Sequence, residues 1–119
     1  MHSEFRDPVH GPIAVSEAEY RVIQEPGFQR LGRIKQLGFG EATFPGASHS
    51  RYLHSLGAMH LAGMAFDVLA RGLDNFHEDA RLRLRAVVRL AALLHDVGHP
   101  PLSHQLEYLL PPLHDLDLP

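Results

Sequence analysis

The chain has 119 residues, a formal charge of −3 with histidine neutral, ten histidines and no cysteine. That length suits a single domain with a modest core, and an ordinary apolar content argues against disorder. The charge offers no general basic surface, so nucleic acid is not an expected partner, and the lack of cysteine excludes disulfides and thiolate metal sites, as fits a reducing compartment such as the cytoplasm.

The start, Met1-His2-Ser3-Glu4, has no basic end followed by an apolar run, so no signal peptide is read there. Arg6 to Pro12 is turn chemistry, with two prolines and a glycine. Ile13-Ala14-Val15 reads as a short strand. Ser16 and Glu19 form a capping-box pattern, which predicts a helix from Glu17 to about Gln24. Pro26-Gly27 interrupts it. Phe28, Leu31, Ile34 and Leu37 recur at spacing three, as in a second short helix. Its other face, with Arg30, Arg33 and Lys35, reads first as a solvated charge cluster.

Gly38 to Ser48 reads as an irregular loop. Ser48 or Ser50 can cap the next helix, expected to run to about Arg71 with Gly72 as its stop. Its small residues (Gly57, Ala58, Ala62, Gly63, Ala65) would let another helix approach closely. The most apolar stretch, Leu56 to Leu73, contains His60, Asp67 and Arg71. A membrane span needs about 20 mostly apolar residues, so a soluble chain without membrane association is expected. After a polar connection from Asp74 to Glu78, a helix is expected over about Glu78 to Val97. Leu84, Val87, Val88, Ala91 and Leu94 trace its apolar stripe, and the turn from Ala91 to Leu94 reads as buried. A last helix of two turns is expected over Leu102 to Leu110, ended by Pro111-Pro112. The fold class is therefore all-α, mostly helical, with a possible short N-terminal strand.

Chemistry concentrates in Leu93 to His104, where an apolar helix runs into His95 and Asp96, Gly98 breaks it, and His99 and His104 follow. His54 lies one turn into the first long helix. If the two long helices pack together, His54, His95 and Asp96 can meet at one ion. Adjacent helical side chains diverge by about 100°, so His95 and Asp96 share an ion most easily at a helix end. A mixed imidazole and carboxylate set suits manganese, iron, nickel or zinc better than calcium. The competing reading is a buried histidine hydrogen-bonded to Asp96. Glu107, three residues after His104, would share its helix face and could orient a general acid, or the two could form an ordinary surface pair. Arg51, three residues before His54, could bind phosphate bidentately near the ion. Its charge opposes the helix dipole at that end.

Several stretches together resemble the HD-domain deoxynucleoside triphosphate triphosphohydrolases. They are Asp7-Pro8-Val9-His10-Gly11, Phe28-Gln29-Arg30-Leu31, Ile34-Lys35-Gln36-Leu37-Gly38, Phe44 through Gly57, and His95-Asp96-Val97-Gly98-His99-Pro100-Pro101-Leu102-Ser103-His104. The His-Asp pair alone would indicate only the wider HD phosphohydrolase superfamily; the Phe-Pro-Gly-Ala-Ser-His and Lys-Gln-Leu-Gly blocks point to the triphosphohydrolase branch.

The resemblance implies a helical bundle holding one divalent transition metal through His54, His95, Asp96 and a further aspartate, with magnesium possible on the substrate phosphates. It implies hydrolysis of a deoxynucleoside triphosphate to deoxynucleoside and triphosphate, by a homo-oligomer. Arg51 would contact phosphates, and Gln36 with Leu37 the sugar. His104, supported by Glu107, would act on the leaving 5′ oxygen, while His99 contacts the phosphates or assists. The family's last metal aspartate comes from a helix far downstream, and Asp115 and Asp117 come too soon to replace it. Residues 1–119 thus read as part of an HD domain, truncated or proteolysed from a larger enzyme. Gln24 and Gly32 stand where regulated relatives read a guanine activator. Two alternatives remain open: another nucleotidase or phosphodiesterase of the superfamily, and a metal- or nucleotide-binding module without turnover.

Overall fold

The computed structural model describes residues 3–72, 77–109, 111, 112 and 115, with the backbone alone at Ser103, Gln105 and Glu107. The chain opens with a hairpin. Strand β1, Ser3–Asp7, pairs antiparallel with β2, Gly11–Val15, in a register that sets Ser3 opposite Val15 and Asp7 opposite Gly11. The turn is made by Asp7, whose Oδ1 accepts from the amides of Val9 and His10, and by Gly11 at φ +72°, where a side chain would be strained. Ile13 and Val15 alternate onto the inner face and are fully buried. The expected strand is therefore present, but the fold is mostly helical with a two-stranded sheet rather than all-α. Its partner, Ser3–Asp7, has one apolar residue, Phe5, so alternation alone gives it no signal.

Helix α1, Glu17–Gln24, starts at the expected capping box. The Glu19 amide donates to Ser16 Oγ, and the Ser16 amide donates to Glu19 Oε2. Pro26 occupies the first turn of α2, Pro26–Gln29, and a 3-10 turn continues over Arg30–Arg33. The expected second helix is thus only two tight turns, and Ile34 is already extended. Spacing three suits a 3-10 turn as well as an α-helix, and it buries Phe28, Leu31 and Ile34. The Gly38–Ser48 loop contains a 3-10 turn, Gly38–Ala42.

Helix α3, Arg51–Ala70, begins at Ser50, whose Oγ accepts from the Leu53 amide. Its start is pinned to the preceding segment, because the Arg51 amide donates to the Ile34 carbonyl and the Gln36 amide to the His49 carbonyl. By length and composition α3 could cross a membrane. Here it is the central helix, with Leu56 and Met59 fully buried and Asp67 held by both Nε and a terminal nitrogen of Arg85. The polar connection expected before the next helix lies partly outside the described residues, at 73–76.

Helix α4, Glu78–Leu94, packs along α3 and stops three residues before the expected Val97. The expected buried stripe is also displaced. Leu84, Val87 and Leu94 are 44%, 60% and 38% exposed, whereas Arg89 and Leu93 turn inward at 6% and 0%. The expected burial of the whole turn from Ala91 to Leu94 fails likewise, since of its four residues only Leu93 is buried. Apolar residues occupy more than one face of α4, and an ion pair selects which faces in. Arg89 Nε and a terminal nitrogen donate to the two carboxylate oxygens of Glu19 at 2.6 and 3.0 Å, and the latter nitrogen also reaches the Ala14 carbonyl. The expected close approach to α3 is made by this side chain. A Cβ on Gly63 would stand 3.0 Å from the guanidinium. The last expected helix is a 3-10 turn, Ser103–Leu109.

Burial alone would raise the Glu19 carboxyl, but the Arg89 hydrogen bond and charge, with the Ser16 amide, outweigh it and leave the group below the ordinary glutamate value. Glu19→Ala is expected to lower the unfolding free energy by about 3–5 kcal/mol, because Arg89 is left buried without its counter-charge. Glu19→Ala combined with Arg89→Met recovers much of that loss. Urea titrations of the three chains check both statements. Because the folded-state value is depressed, the Glu19 contribution is present above the unfolded-state value and is lost as pH falls through the folded one. Repeating the titrations in acid should show that loss in the wild type and not in the double variant.

Candidate metal centre

His54 projects from the first turns of α3 and His95 is the residue that closes α4, followed at once by Asp96. The helix ends before Gly98 and not because of it, since Gly98 has no left-handed φ and open space where a side chain would stand. The end is instead a pair of turns, in which the Val97 amide donates to the Leu94 carbonyl and the His99 amide to the Asp96 carbonyl. Pro100 and Pro101 then prevent any helical continuation. Ending the helix here lets two successive side chains face one point.

The three donor atoms form a triangle. His54 Nε2 and His95 Nε2 are 3.2 Å apart, and Asp96 Oδ2 lies 3.7 Å from the first and 3.4 Å from the second. Donors about 2.1 Å from a first-row ion stand roughly 3.0–3.4 Å apart in octahedral or tetrahedral geometry, so the 3.2 and 3.4 Å edges match such an ion and the 3.7 Å edge is slightly wide for it. Both rings present the right atom. His95 Nδ1 lies 2.6 Å from the Ala92 carbonyl and donates to it, which in the neutral ring leaves the Nε2 lone pair toward the cluster. Burial pushes the His54 imidazole below its ordinary value, as do the His95, Arg51 and His49 charges, against the opposing pull of Asp96. A neutral ring is the ligating form.

Arg51 is 3% exposed, and its Nη1 donates to Asp96 Oδ2 at 2.8 Å. The cation that opposes the dipole of α3 is therefore matched by a carboxylate, which it aims at the two imidazoles. His99 and His104 lie in the next turns as a second pair, with ring centroids 5.1 Å apart and nearly perpendicular. Gln36 is half-buried and Leu37 is 56% exposed, on the segment paired with the residues just before α3. The Glu107 side chain and Asp117 lie outside the described residues. Among the described residues, no fourth histidine or carboxylate joins the three. A cleft of about 320 Å³ opens beside His54, walled by the Asp7–His10 turn, Leu53, Gly57 and Leu61.

Sequence reasoning missed Arg30. By sequence it belongs to a solvated face, yet one of its terminal nitrogens donates to the carbonyls of Val97 and His99, both at 2.7 Å. No local pattern signals such a contact, because the partners are 67 and 69 residues away.

A family model described as HD domain matches residues 51–117, the stretch that carries all three donors. The chain belongs to the HD-domain family. The likeness also extends upstream of that match. This HD-domain chain is 45% identical over 105 residues to the deoxynucleoside triphosphate triphosphohydrolase SAMHD1 of Mus musculus, covering 87% of this chain and 15% of the relative. It is 42% identical over 104 residues to the uncharacterised protein YwfO of Bacillus subtilis, covering 87% of this chain and 23% of the relative. A crystal structure of a hypothetical protein from Aquifex aeolicus superposes with a TM-score of 0.78 at 42% identity, over 93% of this chain and 27% of that one. The chain thus spans less than a quarter of the curated relatives described here.

Titration with manganese or zinc is expected to show one bound ion. His95→Ala should weaken that binding by more than about 100-fold, beyond the 10- to 100-fold typical of losing an outer hydrogen-bond partner. Calorimetry on both chains measures the ratio, and unchanged binding would reject the triangle as the site.

Proposed function

We propose that this chain contributes the metal centre of a phosphohydrolase that cleaves a deoxynucleoside triphosphate into deoxynucleoside and triphosphate. The observation that carries the phosphohydrolase reading is the His54, His95 and Asp96 triangle, a donor set that leaves positions on an ion open to substrate. The finer choice of substrate and bond is supported by the likeness to SAMHD1, whose name states that activity.

An ion held by the triangle supplies Lewis-acid polarisation of a phosphoryl oxygen and a more acidic water. The chain's own residues do the remainder. In the reaction, a water oxygen bonds to the α-phosphorus and releases one proton to solvent, the bond from that phosphorus to the 5′ oxygen breaks, and the 5′ oxygen takes a proton. His104 is assigned that proton, with Glu107 orienting it, and His99 is assigned the phosphates. Arg51 aims Asp96 and places a fixed positive charge beside the developing negative charge. Gln36 and Leu37, next to the start of α3, are assigned the sugar. We assign a homo-oligomeric state to the working enzyme.

The second reading, a metal- or nucleotide-binding module without turnover, is favoured by the absence of a fourth ligand among the described residues. Product analysis separates the readings. With manganese and a panel of deoxynucleoside triphosphates, triphosphate is the expected inorganic product. His104→Ala should lower kcat by about 10²–10⁴-fold, the usual worth of a positioned proton donor, with metal affinity kept. Release of orthophosphate or pyrophosphate would overturn the assignment of the broken bond. Metal binding with no turnover in the complete protein would favour the module.

A further inference from the structure

The turn that carries His95 and Asp96 is not self-supporting. Beyond Leu94 the last carbonyls of α4 and its extension have lost their helical partners. Only two backbone hydrogen bonds within the turn are described, from Val97 to Leu94 and from His99 to Asp96. Gly98 adds backbone freedom at its middle. Pro100 and Pro101, which follow, have no amide hydrogen to donate. Yet the donor triangle requires this main chain to hold one conformation, since a rotation at either residue would send His95 and Asp96 to different points.

Arg30 supplies the missing constraint. One terminal nitrogen carries two hydrogens, and these go to the carbonyls of Val97 and His99 on either side of Gly98, both at 2.7 Å. The base of the side chain is itself fixed, because Arg30 sits between Phe28 and Leu31, which are 1% and 0% exposed. A cation at this end also suits the negative pole of α4, a 17-residue helix. Its neighbours differ: Arg33 is exposed, and Lys35 donates to the Ser48 carbonyl and faces Glu41.

We propose that Arg30 is a positioning residue for the metal centre, holding the main chain after Asp96 so that His95 and Asp96 meet His54 at one ion. This rests on the reading that those three residues bind metal. It assigns Arg30 no contact with substrate.

The test uses manganese binding to the chain, followed by electron paramagnetic resonance of the free ion, and amide hydrogen exchange without metal. Arg30→Ala should weaken manganese binding by about 10- to 100-fold, the range for outer groups that orient ligands. Exchange protection should fall across residues 95–99 and stay unchanged at Ile23 and Met59. Arg30→Lys, which keeps the charge and a donor nitrogen, should recover part of the affinity; it also serves if Arg30→Ala does not fold. Unchanged manganese affinity in both variants would overturn the proposal, whether or not the thermal midpoint moves. So would an effect confined to KM for a nucleotide. If the wild-type chain takes up no manganese, the metal-centre reading falls and takes this one with it. Equal uptake by wild type and variants overturns the Arg30 role alone.

Discussion

Arg51 and Asp96 meet 2.8 Å apart with side chains only 3% and 13% exposed, and this contact fixes how the first turn of α3 sits against the turn that follows α4. Taking two charges so nearly out of water costs several kcal/mol per ion, and the attraction offsets that only when the geometry is close to ideal. The pair is therefore better understood as a positional device than as a source of stability. It aims Oδ2 of Asp96, the Ala92 carbonyl aims His95, and the two side chains converge on His54. Had α4 continued one more turn, His95 and Asp96 would have diverged by about 100°. The candidate centre exists because the helix stops where it does.

Three arginines share this logic. Arg30, Arg51 and Arg89 all turn toward the interior, and each ties the C-terminal part of the chain to an earlier element. Arg30 holds the carbonyls of Val97 and His99, Arg51 holds Asp96, and Arg89 holds Glu19 and the Ala14 carbonyl. The guanidinium fork, permanently charged and able to bind two acceptors, suits this better than an ammonium would. The modest apolar core of these residues is thus braced by cations placed between its elements. Gly63 leaves the space that one of them needs.

This also explains what could be seen in the sequence. The Ser16–Glu19 box, the Ser50 cap and the strand at Ile13–Val15 depend on neighbours within a few residues, and they appear where they were read. The His54, His95 and Asp96 group was legible because its residue types have few other uses together and because Gly98 suggested a helix end nearby, although the structure ends the helix earlier, at Leu94. The apolar stripe of α4 was misread because Leu84, Val87 and Leu94 satisfy the helical period as well as the inward face does. The choice between faces is made by Glu19, far away in the chain. Strand β1 and the role of Arg30 were hidden for the same reason. Each takes its meaning from a partner on another element.

The Arg89 contact with Glu19 spans 70 residues and that with Ala14 spans 75. During synthesis the hairpin and α1 leave the ribosome before α4, so the cation that neutralises Glu19 emerges only when α4 is nearly complete. Until then the capping carboxylate stays hydrated and the inner face of the hairpin lacks its cover. Closing so long a loop carries an entropic cost that must be met before the contact rewards it. The hairpin and α1 should therefore reach their final packing only after α4 has formed.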